Sequence, residues 1–281
     1  MRLFALTALT MVAFAANSIL NRWALVDGGI DAGTFAIVRL TSGAVMLAVL
    51  AFATRGRLAL GGGRGRIAGV ASLILYIYGF SIAYVSLDAG VGALILFGTV
   101  QVTMFAGALR GGARLPPRRV IGAALAFAGL VWLLWPGTGP QISVFHGAMM
   151  AAAGLGWGIY SLAGRGEADP LMATAANFML AVPVGLVLSL ASLGTQIQAA
   201  PLGLVLAVLS GAVTSGLGYA LWYTVLPRLE ASVAAVAQLT VPVIAMAGGL
   251  LVLAEVPSLG VVLAAAVVLG GVAFSILPQR R

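Results

Sequence analysis

Ten apolar runs, each long enough to cross a bilayer, follow one another along the chain and limit its fold more than any other feature. A membrane-spanning helix needs about 20 predominantly apolar residues. Ten stretches meet that need, at approximately residues 2–22, 33–54, 66–87, 90–110, 118–135, 143–163, 171–191, 201–225, 230–253 and 258–278. No gap between them holds a water-soluble domain. The sequence therefore predicts an all-α integral membrane protein, with residues 1–281 forming a single membrane domain.

Composition supports this fold and excludes several functions. Only 8% of the 281 residues are charged, whereas soluble domains carry about 25%. The chain has no cysteine and one histidine, His146, so neither a disulfide framework nor a thiolate or histidine-rich metal site can form. We therefore expect no metal and no cofactor. A serine hydrolase would need a histidine partner, and none is evident near His146, so we predict that the chain is not an enzyme.

The positive charge lies between the apolar runs. All 15 basic residues are arginines, and the net charge is +8, but they form no continuous stripe of the kind that binds nucleic acid. Cytoplasmic loops of membrane proteins collect basic residues. With a cytoplasmic N-terminus, the inner side receives Arg2, Arg55, Arg57, Arg64, Arg66, Arg110, Arg114, Arg118, Arg119, Arg165, Arg228, Arg280 and Arg281. Only Arg22 falls outside, so we expect both termini in the cytoplasm of a bacterium, with the chain in its inner membrane.

The two halves of the sequence resemble each other. Gly79-Phe80 matches Gly218-Tyr219, and Tyr84-Val85-Ser86-Leu87 matches Tyr223-Thr224-Val225-Leu226 at the same spacing. Each half holds five predicted helices, an odd number, so the second half enters the membrane from the opposite side. We predict two inverted repeats, about 1–138 and 139–281, around a central cavity, which is the usual place for a transporter's solute site.

Three loose motifs carry a resemblance to a known group of proteins. They are Asn17-Ser18 followed by Arg22, then Phe35-Ala36-Ile37-Val38-Arg39, and then Pro242 with the later Leu253-Ala254-Glu255. With them the chain resembles the drug/metabolite transporter superfamily, in its ten-helix, two-repeat branch. The first half departs from the pattern, because Arg114 stands where a glutamate would be. Within the superfamily the chain looks most like bacterial exporters of aromatic and other amino acids, and this likeness implies such a substrate.

Arg39 is the most unusual residue within a predicted span. An arginine at the centre of a membrane helix costs about 2.5–3.5 kcal/mol on insertion scales. It can serve as the counter-ion of a substrate carboxylate, or it can hold an outer gate closed. Alternatively, because it lies about 9 Å from the helix end at a rise of 1.5 Å per residue, its side chain can reach the outer interface.

Other polar and aromatic side chains are candidates for solute contact. We expect Asn17, Gln101 and Gln238 near the central cavity, although amides in membranes also hydrogen-bond neighbouring helices. Four aromatic candidates lie on helices 3 and 6, namely Tyr78, Tyr84, Tyr160 and Trp157. A phenol in mid-span, such as that of Tyr78, needs a polar partner. Trp157, between Gly156 and Gly158, can equally serve helix packing.

Two prolines and the positions of the acids complete the prediction. Pro183 and Pro242 are expected to interrupt helices 7 and 9 and to act in gating, because proline removes a backbone hydrogen bond. No acidic residue falls clearly at mid-membrane, so the sequence offers no coupling carboxylate. We predict a secondary transporter that exports amino acids and related small metabolites by alternating access, with a monomer as a plausible state. The alternatives are a channel or a non-transport membrane protein, such as a receptor or an assembly subunit.

Overall fold

The computed structural model describes residues 1–61, 64–112, 116–135, 142–164, 167–191, 197–229, 234 and 237–276. Within them the chain forms ten apolar helices and no ladder of strands. The helices are α1 (Arg2–Val26), α2 (Ala32–Arg55), α3 (Arg64–Ala83), α4 (Ala89–Arg110), α5 (Pro117–Leu134), α6 (Val144–Gly164), α7 (Pro170–Ala191), α8 (Pro201–Arg228), α9 (Thr240–Leu253) and α10 (Leu259–Ile276).

Length and polarity make this a multi-pass membrane fold. Among the described residues, seven helices are long and apolar enough to span a bilayer, while α9 and α10 are shorter apolar helices. The remaining helix, α6, has 21 residues and is rich in glycine. Apolar side chains also face outward, since Val45, Val49 and Phe52 of α2 are 59%, 58% and 62% exposed. Such a surface suits lipid rather than water, and the predicted all-α membrane fold is confirmed.

Local sequence signals set several helix ends. Asp31 precedes α2 and accepts a 2.9 Å hydrogen bond from the Thr34 backbone N–H, which satisfies one of the free donors of the first turn. Partial burial opposes ionisation of Asp31, but the hydrogen bonds from Thr34 and Gln198 hold the pKa of its carboxyl below the ordinary value. At the other end of α2, Gly56 adopts a left-handed conformation with φ of 67°, as helix-ending glycines commonly do.

The pairs of helices that pack together are the same in both halves when each of the first five helices is exchanged with the helix five positions later. α3 packs on α6, and its counterpart pair α8 and α1 also pack together. α2 packs on α7, α4 on α9 and α5 on α10, and each of these three pairs maps onto itself under the exchange. This pattern is what two inverted five-helix repeats produce. The predicted boundary at 138–139 falls outside the described residues and stays a prediction.

Helix α8 is irregular in its middle. An α-helical turn region, Pro201–Val208, is followed by a π-helix at Leu209–Leu217 and then by α-helix at Gly218–Val225. A side chain at Gly211 would collide with the Arg39 carbonyl and the Ser42 hydroxyl of α2, so glycine is required where the π segment meets α2. π-Helical turns are rare and occur frequently at functional sites.

Two predicted helices differ from those in the structure. α3 ends at Ala83 rather than near residue 87, because the chain turns there through backbone bonds such as that from the Ser86 N–H to the Ala83 carbonyl. Pro183 lies inside α7 as expected. Predicted helix 9 is interrupted near Pro242, since residues 237–238 are helical, Leu239 forms a turn and α9 begins at Thr240. Pro242 occupies the first turn of α9, where its missing N–H breaks no bond within that helix.

Candidate functional site

The two ends of the helix bundle differ in charge. We call the end where α1 begins the basic end; it carries Arg2, Arg55, Arg110 and Arg118 at helix termini. The other end, which we call the opposite end, carries Asp27, Asp31, Asp88 and Glu255.

The opposite end is closed by contacts around Arg22, which we call the Arg22 cluster. The Arg22 guanidinium lies 2.8 Å from Glu255 and 3.6 Å from Asp88. It also donates to the backbone carbonyls of Tyr84 and Val85, each at 3.0 Å. Glu255 in turn accepts a 2.7 Å bond from the first residue of α4, Ala89. The cluster therefore ties α1 to the α3–α4 turn, the start of α4 and the segment between α9 and α10.

A cavity of about 450 Å³ lies toward the basic end. It is lined by residues of α4, α6, α8 and the chain just before α9, including Gln101, Met104, Trp157, Ser161 and Gln238. Two of the three predicted amides, Gln101 and Gln238, are therefore at its wall. A volume of this size matches small-molecule sites. Within the described residues, the structure is a carrier-like bundle with a cavity at one end and tight packing at the other.

Close helix contacts fix Trp157 at the inner limit of this cavity. Side chains added at Gly154 or Gly158 would collide with Thr99 or Thr103 of α4, and one at Gly156 would meet the backbone of Ser72 and Tyr76 on α3. The glycines thus allow α6 to approach both neighbours. Trp157 is 6% exposed and also lines a second, water-sized pocket of about 10 Å³ deeper in the bundle. Trp157 is the one described residue that lines both spaces.

The deeper pocket, which we call the central pocket, is mostly aromatic. Trp157 lies 5.0 Å from Tyr76 and 4.8 Å from Tyr219 between ring centroids, and Phe14 lies 5.9 Å from Tyr219. Phe80 packs edge-on against Tyr76 at 5.4 Å. These rings come from α1, α3, α6 and α8, and therefore from both halves of the chain. They form an apolar box with phenolic hydroxyls at one side.

Arg39 lies beside this box and is fully buried. Its Nη2 donates to the Tyr76 hydroxyl at 2.8 Å and its Nε to the Ser215 hydroxyl at 3.2 Å, while Nη1 has no partner. The guanidinium carbon lies 5.0 Å and 4.8 Å from the ring centroids of Tyr76 and Phe80. The alternative in which Arg39 extends to the outer interface is therefore contradicted, because its side chain points into the protein.

Asn17 lies next to Arg39 and is oriented by the π segment of α8. Its Oδ1 accepts from Ser210 at 2.5 Å and from Thr214 at 3.0 Å. Its Nδ2 donates to the Tyr76 hydroxyl at 3.3 Å. The amide is thus held with its N–H groups toward the central pocket. The structure brings together Asn17, Arg39 and Trp157 among the predicted site residues.

Tyr78 and Tyr84 are placed elsewhere, which corrects the expectation that they line the cavity. The Tyr78 hydroxyl bonds to the Gly185 carbonyl at 2.5 Å and to the Ser189 hydroxyl at 2.8 Å, both on α7. Tyr84 is fully buried toward the opposite end, and its hydroxyl donates to the Ala89 carbonyl at 3.1 Å. Tyr78 has the expected depth but lies on a face of α3 that contacts α7, whereas Tyr84 follows the last residue of α3 and lies at the end of the bundle.

Tyr160 lies between the cavity and a buried arginine near the basic end. Its ring stacks on Trp157 at 5.6 Å, and its hydroxyl accepts a bond from Asn177 at 3.4 Å. Arg66 donates to the Asn177 side-chain oxygen at 2.8 Å and to the Ala173 carbonyl at 2.7 Å. Tyr160 therefore supports Trp157 from behind rather than lining the 450 Å³ cavity.

Several residues of the central pocket were not selected from the sequence. Tyr76 and Tyr219 belong to the aromatic rows of helices 3 and 8, but Ser210, Thr214 and Ser215 carried no recognised signal. The internal repeat offers a signal that could have identified Ser215. The spacing that relates Gly79 to Gly218 also relates Phe80 to Tyr219 and Tyr76 to Ser215, so matched positions of the two halves meet at Arg39.

Comparisons with known proteins agree with this architecture. Residues 146–277 match the model of the EamA-like transporter family. A Pseudomonas aeruginosa protein named "Uncharacterized protein PA1977" is 47% identical over 281 residues, covering 99% of this chain and 96% of its own length. A crystal structure with 22% identity aligns over 99% of this chain and 98% of its own, with a TM-score of 0.69, which supports the fold. The second half of the chain is therefore similar to the EamA-like transporter family, which agrees with the predicted superfamily resemblance.

Proposed function

We propose that the protein is a secondary carrier that exports amino acids, including aromatic ones, and related small metabolites across the bacterial inner membrane. The observation that carries this proposal is a fully buried arginine beside an aromatic pocket, at the inner limit of a cavity that ends against packed helices. The family supports transport of small molecules. The amino-acid substrate and the direction are part of the proposal.

The charge of Arg39 supports a carboxylate substrate. Within the described residues no Asp or Glu forms an ion pair with Arg39. A buried, unpaired charge is costly, and the free Nη1 can pair with a substrate carboxylate. Contacts between arginine and carboxylate are charge-assisted and often bidentate. The aromatic box then accepts the apolar part of the substrate.

The asymmetry between the two ends supports alternating access. In this conformation the 450 Å³ cavity adjoins Gly164 and Leu229 at the basic end, while the Arg22 cluster closes the opposite end. If the basic end is cytoplasmic, substrate loads from the cytoplasm and leaves after the cluster opens. We assign gating roles to Pro183 and Pro242, substrate contact to Gln101 and Gln238 at the cavity wall, and a supporting role to Tyr160. Tyr78 and Tyr84 are assigned no direct contact.

Flux in proteoliposomes tests the proposal. Proteoliposomes that contain the purified protein and are loaded with unlabelled L-phenylalanine should accumulate labelled L-phenylalanine transiently. The kinetics should be saturable, because a carrier exchanges solute through one site. We expect Arg39→Ala and Trp157→Ala to lose most of this flux without loss of monodispersity. Arg57→Ala is the matched control, because Arg57 lies exposed in the loop after α2.

Other outcomes identify the alternatives. Flux that rises linearly with concentration and shows no counterflow would indicate a channel. Absence of flux for every amino acid tried, with a correctly folded protein, would contradict the proposed substrate class and favour a receptor or an assembly subunit.

A further inference from the structure

The hydrogen bonds of the central pocket contain more donors than acceptors. Three donors converge on the single hydroxyl oxygen of Tyr76: Nη2 of Arg39 at 2.8 Å, Nδ2 of Asn17 at 3.3 Å and the hydroxyl of Tyr219 at 3.3 Å. A phenolic oxygen has two lone pairs, so it cannot satisfy all three. Within the described part of the chain, the Nη1 group of Arg39 has no acceptor.

The orientation of Asn17 adds to this excess. An amide side chain offers either its oxygen or its N–H groups to a ligand, depending on which way it is turned. Here Ser210 and Thr214 of the π segment both donate to Oδ1, so the oxygen is occupied and the N–H groups face the pocket. The π segment thereby fixes the Asn17 side chain as a hydrogen-bond donor toward the pocket.

Among the residues that the structure describes, no negative charge balances these donors. The acidic residues that the structure describes, namely Asp27, Asp31, Asp88, Glu167, Asp169 and Glu255, all lie at helix termini or in loops. Two of them, Asp88 and Glu255, form ion pairs with Arg22, and Glu255 also accepts a hydrogen bond from the Ala89 N–H. A ligand that brings only acceptors and one negative charge therefore complements the pocket.

We propose that the site binds organic monocarboxylates with an aromatic or branched apolar group more tightly than the corresponding amino acids. This inference deepens the proposed function and rests on it. An α-ammonium group carries three donors and a positive charge. Next to Arg39, Asn17 and the phenols it meets like charge and further donors, and it loses its water without gaining an acceptor.

The remaining geometry suits a rigid apolar tail. Phe14, Trp157 and Tyr219 face one another at ring separations of 4.8–6.3 Å. The central pocket holds only a water-sized volume, and Trp157 lines both this pocket and the 450 Å³ cavity. Rotation of this one side chain would join the spaces, with the carboxylate at Arg39 and the ring in the place Trp157 leaves.

Three ligands with one skeleton test the inference on the purified full-length protein. 3-Phenylpropionate carries only the carboxylate, L-phenylalanine carries both charges, and phenethylamine carries only the ammonium. By calorimetry we expect 3-phenylpropionate to bind at least about tenfold more tightly than L-phenylalanine and phenethylamine not to bind. Equal or tighter binding of L-phenylalanine would overturn the inference, as would failure of all three to bind.

A single substitution reverses the chemistry of the pocket. Asn17→Asp replaces the donor with an acceptor and adds a negative charge beside Arg39, so the preference for the acid over the amino acid should fall by at least about tenfold. Asn177→Asp makes the same change on α7, outside the central pocket, and should leave the preference unchanged. An unaltered preference in a folded Asn17→Asp variant contradicts the donor argument, and the wild-type comparison decides the matter if that variant does not fold.

Separate measurement of flux keeps the two proposals distinguishable. Tight binding of 3-phenylpropionate without flux in vesicles would support the site chemistry and refute the carrier. Saturable flux of L-phenylalanine, with L-phenylalanine bound more tightly than 3-phenylpropionate, would support the carrier and refute the preference for monocarboxylates.

Discussion

Two buried arginines, Arg39 in the centre of the bundle and Arg66 near its basic end, have opposite surroundings. Arg66 donates to the carbonyls of Ala173 and Gly61 and to the side-chain oxygen of Asn177. Arg39 instead lies among hydroxyl groups and an amide that are themselves donors. Neither residue has a carboxylate partner among the described residues.

The difference shows that burial and charge do not by themselves identify a binding residue. Acceptors of the chain itself satisfy most of the guanidinium of Arg66, leaving only Nε free, and the contacts join α3 to α7. Among the residues described, Arg39 donates only to the hydroxyl groups of Tyr76 and Ser215, and its unpaired Nη1 carries two N–H donors, whereas the unpaired Nε of Arg66 carries one. The contacts of Arg66 stabilise the fold, and those of Arg39 suit the anion site that we propose.

Exchange of each arginine for glutamine is the strongest test of this contrast. Arg39→Gln should lower transport by about 10- to 100-fold, because it removes a charge-assisted contact to the substrate, and should change the thermal midpoint little. Arg66→Gln should lower the free energy of unfolding by about 3 kcal/mol, because it leaves buried acceptors unsatisfied. Flux per folded molecule should stay close to wild type in Arg66→Gln. The contrast fails if both variants lose stability alike.

A third arginine, Arg22, has carboxylate partners, and its contacts should govern opening of the opposite end. Glu255→Gln removes one charge from a partly buried pair. If this weakens closure by about 1.4 kcal/mol, the opposite end opens about tenfold more often. The chain has no native cysteine, so labelling of a Leu87→Cys variant, at a site 2% exposed, reports the opening directly.

The matched control for labelling is Val85→Cys, at a site 50% exposed in the same turn. It should react equally fast with and without Glu255→Gln. If Leu87→Cys also reacts at an unchanged rate, Arg22 does not hold the opposite end closed.

The backbone that presents Glu255 to Arg22 allows a smaller effect to be measured. Ala254 has a φ of 55°, a left-handed conformation that costs a non-glycine residue about 1–2 kcal/mol. Ala254→Gly should therefore raise the free energy of unfolding by about 1 kcal/mol. Ala48→Gly, within α2, should lower it by a similar amount. Equal effects at the two positions in thermal unfolding would show that Ala254 is unstrained.

An exposed arginine pair gives the smallest effect and sets the baseline. Arg55 donates to Asp169 at 2.6 Å, and this hydrogen bond holds the pKa of the Asp169 carboxyl below its ordinary 3.8. The stabilisation is thus fully present above that value and is lost as the pH falls through the lowered pKa. Because the pair is largely exposed, it is worth less than about 0.5 kcal/mol.

The pH dependence of thermal unfolding checks this value. Wild type and Asp169→Asn should differ by a constant small amount from pH 5 to 7, and the difference should vanish in more acidic buffer. If the difference in stability between wild type and Asp169→Asn instead grows as the pH falls, the ionised Arg55–Asp169 pair does not stabilise the protein.

Hydropathy was sufficient to locate the helices, because a span must be apolar over its whole length. The expected spans 90–110 and 171–191 agree with Ala89–Arg110 and Pro170–Ala191 to within one residue. Hydropathy does not report hydrogen-bond geometry, so the π segment of α8 and the turn that ends α3 at Ala83 were not foreseen.

The central pocket was predictable only in part. Arg39 stands out because its charge is expensive in a membrane, whatever its neighbours are. Tyr78 was preferred to Tyr76 because both have nearly the same depth, yet two residues in a helix are turned about 200° apart. Serine and threonine attract no notice in a membrane helix, since their hydroxyls usually bond to the preceding turn. Only the tertiary structure shows Ser210 and Ser215 serving other helices.

The π segment of α8 sets the angle between the side chains of Ser210 and Ser215, which hold two residues of the central pocket. Ser210 holds Asn17 and Ser215 holds Arg39, and these serines are five positions apart. Five residues overshoot an α-helical turn of 3.6 residues by about 140°. The wider turn of a π-helix, with its i→i+5 bonds, makes this angle smaller. Both hydroxyls therefore face α1 and α2 only while the wider turn persists. Conversion of the segment to a regular α-helix at unchanged length would therefore widen the angle between the two serines and move one hydroxyl off its partner.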